Sequence, residues 1–293
     1  MMLPFAPRPR RSLLFVPANN ARAMQKARSL PADVIIFDLE DAVHTQQKQE
    51  ARESALKALK SKAYGHRERV VRINDINSRD GLDDLIAIAQ GGADALLLPK
   101  VTNPEQVAQA ASMSRQLGAS ENLAIWANVE TPLGVINAAA IAAVPECAAL
   151  VMGTNDLRAC LGISHDTDRT PLLYSLSAVL CAARAYGKLA FDGTFINLGN
   201  LSDLESECIE GKKLGFDGKT LIHPEQIDIT NQIFTPTKEQ LSRAHAMVCA
   251  YETAQMQQSV IAVSGGQMVE TLHIRQALRT IKLAEAIEKL AEF

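Results

Sequence analysis

The sequence predicts an α/β protein, a closed (β/α)8 barrel of the TIM type followed by a C-terminal helical extension. Three observations carry that expectation. Short, β-branched apolar runs alternate with longer amphipathic segments from about residue 10 to past residue 220, the rhythm of a parallel sheet covered by helices. The apolar runs number eight, the count of a closed barrel. After residue 224 the rhythm stops, and two long helical patterns follow with no strand between them.

The eight strands are expected at SLLFVPA from Ser12, DVIIFDLE from Asp33, RVVRIND from Arg69 and DALLLPK from Asp94. They continue at LAIWANVE from Leu123, AALVMGTNDL from Ala148, LAFDG from Leu189 and DGKTLIHP from Asp217. Helical spacing fills the intervals Ala21 to Arg28, Gln46 to Lys60, Leu82 to Gln90, Pro104 to Gln116, Pro132 to Ala143, Leu172 to Tyr186 and Leu204 to Lys213. Asn103 before Pro104 and Thr131 before Pro132 have helix-starting chemistry, a capping side chain followed by a residue that needs no N–H partner. Thr237 to Gln258 and Glu270 to Leu290 are the two long helices of the extension, with Gly265 and Gly266 marking a turn between them. The expected division is a barrel over residues 10–228 and an extension over 229–293. A doubly wound nucleotide-binding sheet is disfavoured, because VPANN after Phe15 contains none of the glycines that a phosphate turn needs.

Composition narrows the function. The chain has 293 residues, 47 % of them hydrophobic, enough to build a sizeable core without disulfides. A net charge of −3 offers no broad positive field for a nucleic-acid backbone. No apolar stretch is long enough to span a membrane. Five Cys without a pairing rhythm point to a reducing cytoplasm.

Catalytic groups of such barrels sit at the C-terminal strand ends. Here those ends carry Asp38, Glu40 and Asp41, then Arg72 and Asn74, Lys100, Asn128 and Glu130, Asn155 and Asp156, and Asp192. Charge repeated at the edge of a dry core is hard to explain by packing. Glu130 and Asp156 are the candidate metal pair: two carboxylates completed by water and substrate oxygens suit Mg²⁺, and no His and Cys cluster favours zinc. The competing reading makes them helix or turn caps. Arg72 and Lys100 either engage a substrate carboxylate or pair with an internal acid such as Glu40. His223 reads as a structural histidine.

The motifs RRSLLFVPANN, FDLEDAV with downstream Lys48 and Arg52, VVRIN, GGADALLLPKV, VETPLG, GTNDL, GFDGKTLIHPEQ and FTPT occur in this order. Together they resemble the citrate lyase beta subunit and malyl-CoA or citramalyl-CoA lyase group of the HpcH/HpaI aldolase superfamily. The resemblance implies a Mg²⁺-dependent lyase that cleaves a 3-hydroxy-dicarboxylic acyl-CoA to acetyl-CoA and a 2-oxo acid. It places Glu130 and Asp156 on the metal ligands and Arg72 on the arginine that engages substrate oxygens. Asp38, Glu40 and Asp41 fall on the acidic stretch that shapes the site, and Lys100 is a further candidate for substrate binding. The resemblance also implies a homotrimer or homohexamer whose C-terminal segment acts as a lid. The lid's usual aspartate, an acid or base in the reaction, is replaced by Glu270 in QMVETLH. Cationic contacts to CoA are expected from Arg10, Arg11 and Lys100. The segment after the seventh strand, with Asp192, Asp203 and Glu205, also departs from the family pattern. Alternatives are a citrate lyase beta subunit partnered by an acyl carrier protein and an alpha subunit, an acyl-CoA thioesterase with Glu270 activating water, and a barrel that binds CoA esters without turnover.

Overall fold

The computed structural model describes residues 8–164, 168–256, 262–265 and 267–291. Two compact units are present, one spanning 10–231 and the other 232–293 with the first residues of the chain.

The larger unit is a closed barrel of eight parallel strands in sequential order. They are β1 (Ser12–Pro17), β2 (Val34–Asp38), β3 (Glu68–Arg72), β4 (Ala95–Leu98), β5 (Ala124–Val129), β6 (Cys147–Met152), β7 (Leu189–Asp192) and β8 (Gly218–Leu221). Closure comes from β1 pairing with β8 in the register Ser12↔Lys219, Leu13↔Thr220, Leu14↔Leu221. Alternate residues of each strand face the interior. Leu13, Val34, Ile36, Val70, Leu97, Trp126, Val151 and Phe191 meet there in one buried cluster.

Helices α1 (Ala21–Ala27), α2 (Lys48–Lys60), α3 (Arg79–Ile88), α4 (Pro104–Gln116), α5 (Pro132–Ile136), α6 (Ala138–Ala143), α7 (Thr154–Leu161), α8 (Leu173–Ala185) and α9 (Leu201–Leu214) follow the strands, and α10 (Ile227–Phe234) follows β8. The expected starts at Asn103 and Thr131 are real. Asn103 forms a reciprocal capping box with Gln106, and the Thr131 side chain accepts the Gly134 N–H.

Three expectations change. The single helix predicted over Pro132 to Ala143 is two, broken at Asn137, whose backbone departs from helical angles and whose side-chain amide donates to the Thr102 carbonyl at 2.7 Å. The strand read through Leu157 ends at Met152, so Asn155 and Asp156 lie on the first turn of α7. Gly153, the N-cap of that helix, makes the break. In the second unit, α11 (Lys238–Met256) and α12 (Thr271–Ala291) pack through Ala244, Ala277 and Ile281, but a short antiparallel hairpin, β9 (Ala262–Ser264) and β10 (Gln267–Val269), lies between them. Three-residue strands are too short to show alternation in sequence. The expected helix end at Gln258 and the turn residue Gly266 fall outside the described residues.

Candidate functional site

Interior strand positions turn from apolar to polar at the C-terminal mouth. Val34 and Ile36 lead to Asp38, Val70 leads to Arg72, and Trp126 leads to Asn128 and Glu130, all at two-residue spacing. The polar residues therefore continue the stripe that fills the barrel. A cavity of about 410 Å³ opens there, lined among others by Asp38, Asp41, Arg72, Glu130, Asp156 and Phe15. Glu40 and Lys100 are not among its lining residues, though Lys100 reaches Asp41, which is.

Arg72 is fixed on three sides. Nε and Nη2 donate to the two oxygens of Asp38 at 2.7 and 2.6 Å, Nη1 lies 3.0 Å from Glu40 Oε2, and the guanidinium sits 4.7 Å from the centre of the Phe15 ring. Burial would lower its pKa, but Asp38 and Glu40 more than reverse that and raise it. Arg72 thus has the internal acid pairing and also faces the cavity. Lys100 Nζ donates to Glu40 Oε1 at 2.7 Å and lies 3.5 Å from Asp41 Oδ1, again with its pKa raised by Glu40 against the effect of burial.

Glu130 is 1 % exposed. One oxygen accepts the Lys100 backbone N–H at 2.7 Å and the other accepts the Asn128 amide. Thr131, and not Glu130, caps α5. Lys100, whose N–H meets Glu130, has φ 48°, the only positive value at a non-glycine residue among those described. Burial, then the charges of Glu40 and Asp156, push the Glu130 carboxyl up to about 8. Such a carboxylate is poised for a cation. Among the described residues no cluster of three or more His, Cys, Asp or Glu forms a metal cage. Two carboxylates, with the remaining positions left to water and ligand oxygens, fit Mg²⁺ better than zinc.

Gly153 makes the approach of α7 possible. A Cβ there would fall 2.3 Å from Glu130 Cβ and 2.5 Å from its Oε2. Gly153→Ala is expected to displace the Glu130 carboxylate, costing about 1–3 kcal/mol of stability and weakening Mg²⁺ binding. Thermal unfolding and calorimetric titration with Mg²⁺ measure the two effects.

Other expected residues lie elsewhere. Arg10 pairs with Glu68 and Arg11 with Asp33 at 2.8 Å, at the N-terminal ends of the strands, so neither reaches the mouth as a CoA contact. Asp192 has the opposite register to Phe191 and faces the helical layer, where it meets Arg169 and Lys219. His223 is a structural cap that accepts the Glu225 N–H. Glu270 belongs to the C-terminal unit, exposed before α12, with its N–H donated to His273 Nδ1. Phe15, Gly153 and Thr220 also line the cavity without having been singled out; interior parity was the signal that marks Phe15 and Thr220.

Comparison with known proteins gives the family of the chain. The family model HpcH/HpaI aldolase/citrate lyase matches residues 11–224. The (3S)-malyl-CoA thioesterase of Cereibacter sphaeroides (strain KD131 / KCTC 12085) is 42 % identical over 279 residues, covering 95 % of this chain and 96 % of that protein. The citrate lyase subunit beta of Leuconostoc mesenteroides subsp. cremoris is 35 % identical over 286 residues, covering 94 % of each. The crystal structure of protein CitE from Mycobacterium tuberculosis in complex with magnesium, acetoacetate and coenzyme A superposes with a TM-score of 0.75 at 30 % identity, covering 94 % of this chain and 98 % of that one. The chain therefore belongs to the HpcH/HpaI aldolase/citrate lyase family.

Proposed function

We propose that this protein is a Mg²⁺-dependent CoA-thioester hydrolase acting on a 3-hydroxy-dicarboxylic acyl group of the malyl type. The observation that carries this reading is the convergence of Glu130, Asp156 and Arg72 on one cavity at the barrel mouth. The choice of hydrolysis over carbon–carbon cleavage is supported by the greater identity to a (3S)-malyl-CoA thioesterase than to citrate lyase beta subunits.

Glu130 and Asp156 would hold Mg²⁺, which when bound supplies Lewis-acid polarisation of substrate oxygens. Arg72 presents a fixed positive charge to the substrate carboxylate or carbonyl oxygen, kept from swinging away by Asp38, Glu40 and Phe15. Asp41 lines the same cavity, and with Lys100 it sets the charge at its rim. In hydrolysis, water adds to the acyl carbon, the C–S bond breaks, and the thiolate leaves and takes up a proton. The acid–base role that the resemblance gives to Glu270 is part of this proposal; Glu270→Gln is the variant that tests it. A homotrimer or homohexamer belongs to the same reading.

The second reading is the lyase, supported by the citrate lyase beta subunits among the relatives. A panel of 3-hydroxyacyl-CoA thioesters with Mg²⁺, assayed for free thiol and for 2-oxo acid, separates them. Hydrolysis gives one free CoA per thioester and no 2-oxo acid. Equal yields of acetyl-CoA and 2-oxo acid without free thiol would replace it with the lyase, and the absence of either product would overturn both.

A further inference from the structure

Lys48, on the first turn of α2, is 8 % exposed, and its ammonium has all three protons placed. It donates to the Leu39 carbonyl at 2.7 Å, the Glu40 carbonyl at 2.8 Å and Asn74 Oδ1 at 2.7 Å. Asn74 Nδ2 returns to the Leu39 carbonyl at 2.9 Å, and Asn74 also donates its backbone N–H to Asp84 Oδ2 at 2.8 Å. Asp84, fully buried on α3, is held in turn by Arg52 Nε at 2.6 Å. This polar chain runs from the helical layer to the back of the segment carrying Asp38, Glu40 and Asp41. None of its links lines the cavity. A buried ionic chain is a costly route to stability, since apolar packing would serve as well, and in some proteins its return is a defined geometry.

We propose that Lys48 is a positioning residue. By gripping the Leu39 and Glu40 carbonyls from behind, it aims the Glu40 carboxylate forward between Lys100 and Arg72. Without that grip the Glu40 backbone turns, Lys100 Nζ loses its 2.7 Å partner, and the cation at the rim is no longer fixed. Glu130 keeps its own supports, the Lys100 N–H and the Asn128 amide, so metal binding is expected to survive. The kinetic consequence rests on the hydrolase reading above; the placement of Glu40 does not.

The test is Lys48→Met, which keeps the length of the side chain and removes the ammonium. In the hydrolase assay kcat is expected to fall about 30- to 100-fold, as for a misplacement near 1 Å, while KM and Mg²⁺ affinity stay within about three-fold. Tyr64→Phe, which removes the buried hydrogen bond to the Met24 carbonyl, serves as the stability control and leaves kcat unchanged. Lysine-selective ammonium NMR supplies a readout free of turnover. A Lys100 signal is expected in the wild type from its hydrogen bond to Glu40 and is expected to disappear in Lys48→Met, while that of fully buried Lys219 persists. Should Lys48→Met not fold, Asn74→Ser removes the second donor to Leu39 and is expected to weaken the same Lys100 signal. Wild-type kcat in Lys48→Met, or an unchanged Lys100 signal, overturns the proposal. A wild-type protein that turns over no thioester defeats the hydrolase reading, and the Lys100 signal then decides the positioning role alone.

Discussion

Glu130→Gln is expected to abolish most of the Mg²⁺ response while leaving the fold intact. Mg²⁺ affinity should weaken by at least about 100-fold and kcat/KM by on the order of 10³-fold, as when a preorganised electrostatic group is removed from a reacting centre. The amide oxygen can still accept the Lys100 N–H, and Asn128 can turn its amide to meet the new NH₂. The wild-type carboxyl is pushed up to about 8 from an ordinary value of 4.5 by burial, Glu40 and Asp156. A raised folded-state pKa means that the native protein holds this proton more tightly than the unfolded chain. Its contribution to stability is therefore complete below about 4.5 and is lost as pH rises through about 8. Metal-free wild type should lose stability across that window, and Glu130→Gln should not. Mg²⁺ binding must displace the proton, so near pH 6.5 about one proton should be released per ion, declining as pH passes 8. Titration calorimetry in buffers of different ionisation enthalpy counts those protons. A pH-independent Mg²⁺ affinity would remove Glu130 from the metal site.

Lys219→Met is expected to have the largest effect on stability, about 3–5 kcal/mol, because it breaks a buried ion pair and leaves Asp192 with Arg169 as its remaining cation. Lys219 and Asp192 are both fully buried, with Nζ 3.2 Å from Asp192 Oδ2 and also donating to Glu207 and the Gly193 carbonyl. Burial raises the Asp192 pKa, but Lys219 and Arg169 outweigh it and hold the carboxyl below its ordinary value. That depressed pKa supplies stability above the unfolded-state value, lost as pH falls through the folded-state one. The difference between wild type and Lys219→Met should accordingly be large at neutral pH and narrow in acid. Urea unfolding across that range measures it, and Asp192→Asn in the Lys219→Met background should recover part of the loss. A neutral-pH difference below about 1 kcal/mol would mean that Arg169 alone satisfies Asp192.

The barrel was legible because its strands are β-branched runs whose interior positions repeat every two residues, and because turn and cap chemistry at Asn103 and Thr131 is local. The place of Glu130 at the mouth was legible for a related reason: it extends an apolar stripe in register. Asp156 was placed on a strand end, since GTNDL continues an apolar run without a break other than Gly153. Asp192 was counted with the mouth because a strand end gives the level of a side chain but its face depends on register, which pairs Asp192 with Lys219. Arg10 and Arg11 read as free cations until Glu68 and Asp33, distant in sequence, arrive beside them. The support behind Glu40 was illegible for the same reason: Lys48, Asn74 and Asp84 lie on three separate segments.

Sequential strand order gives the barrel a single seam, where Leu13 meets Thr220 across 207 residues of chain. Every other strand pair joins neighbours in sequence, so local βα units can assemble as the chain lengthens. Until β8 arrives, β1 and the most recently formed strand keep open hydrogen-bonding edges, the state in which strands pair with the wrong chain. Synthesis of residues 218–221 is thus the event that converts an aggregation-prone open sheet into an edgeless one.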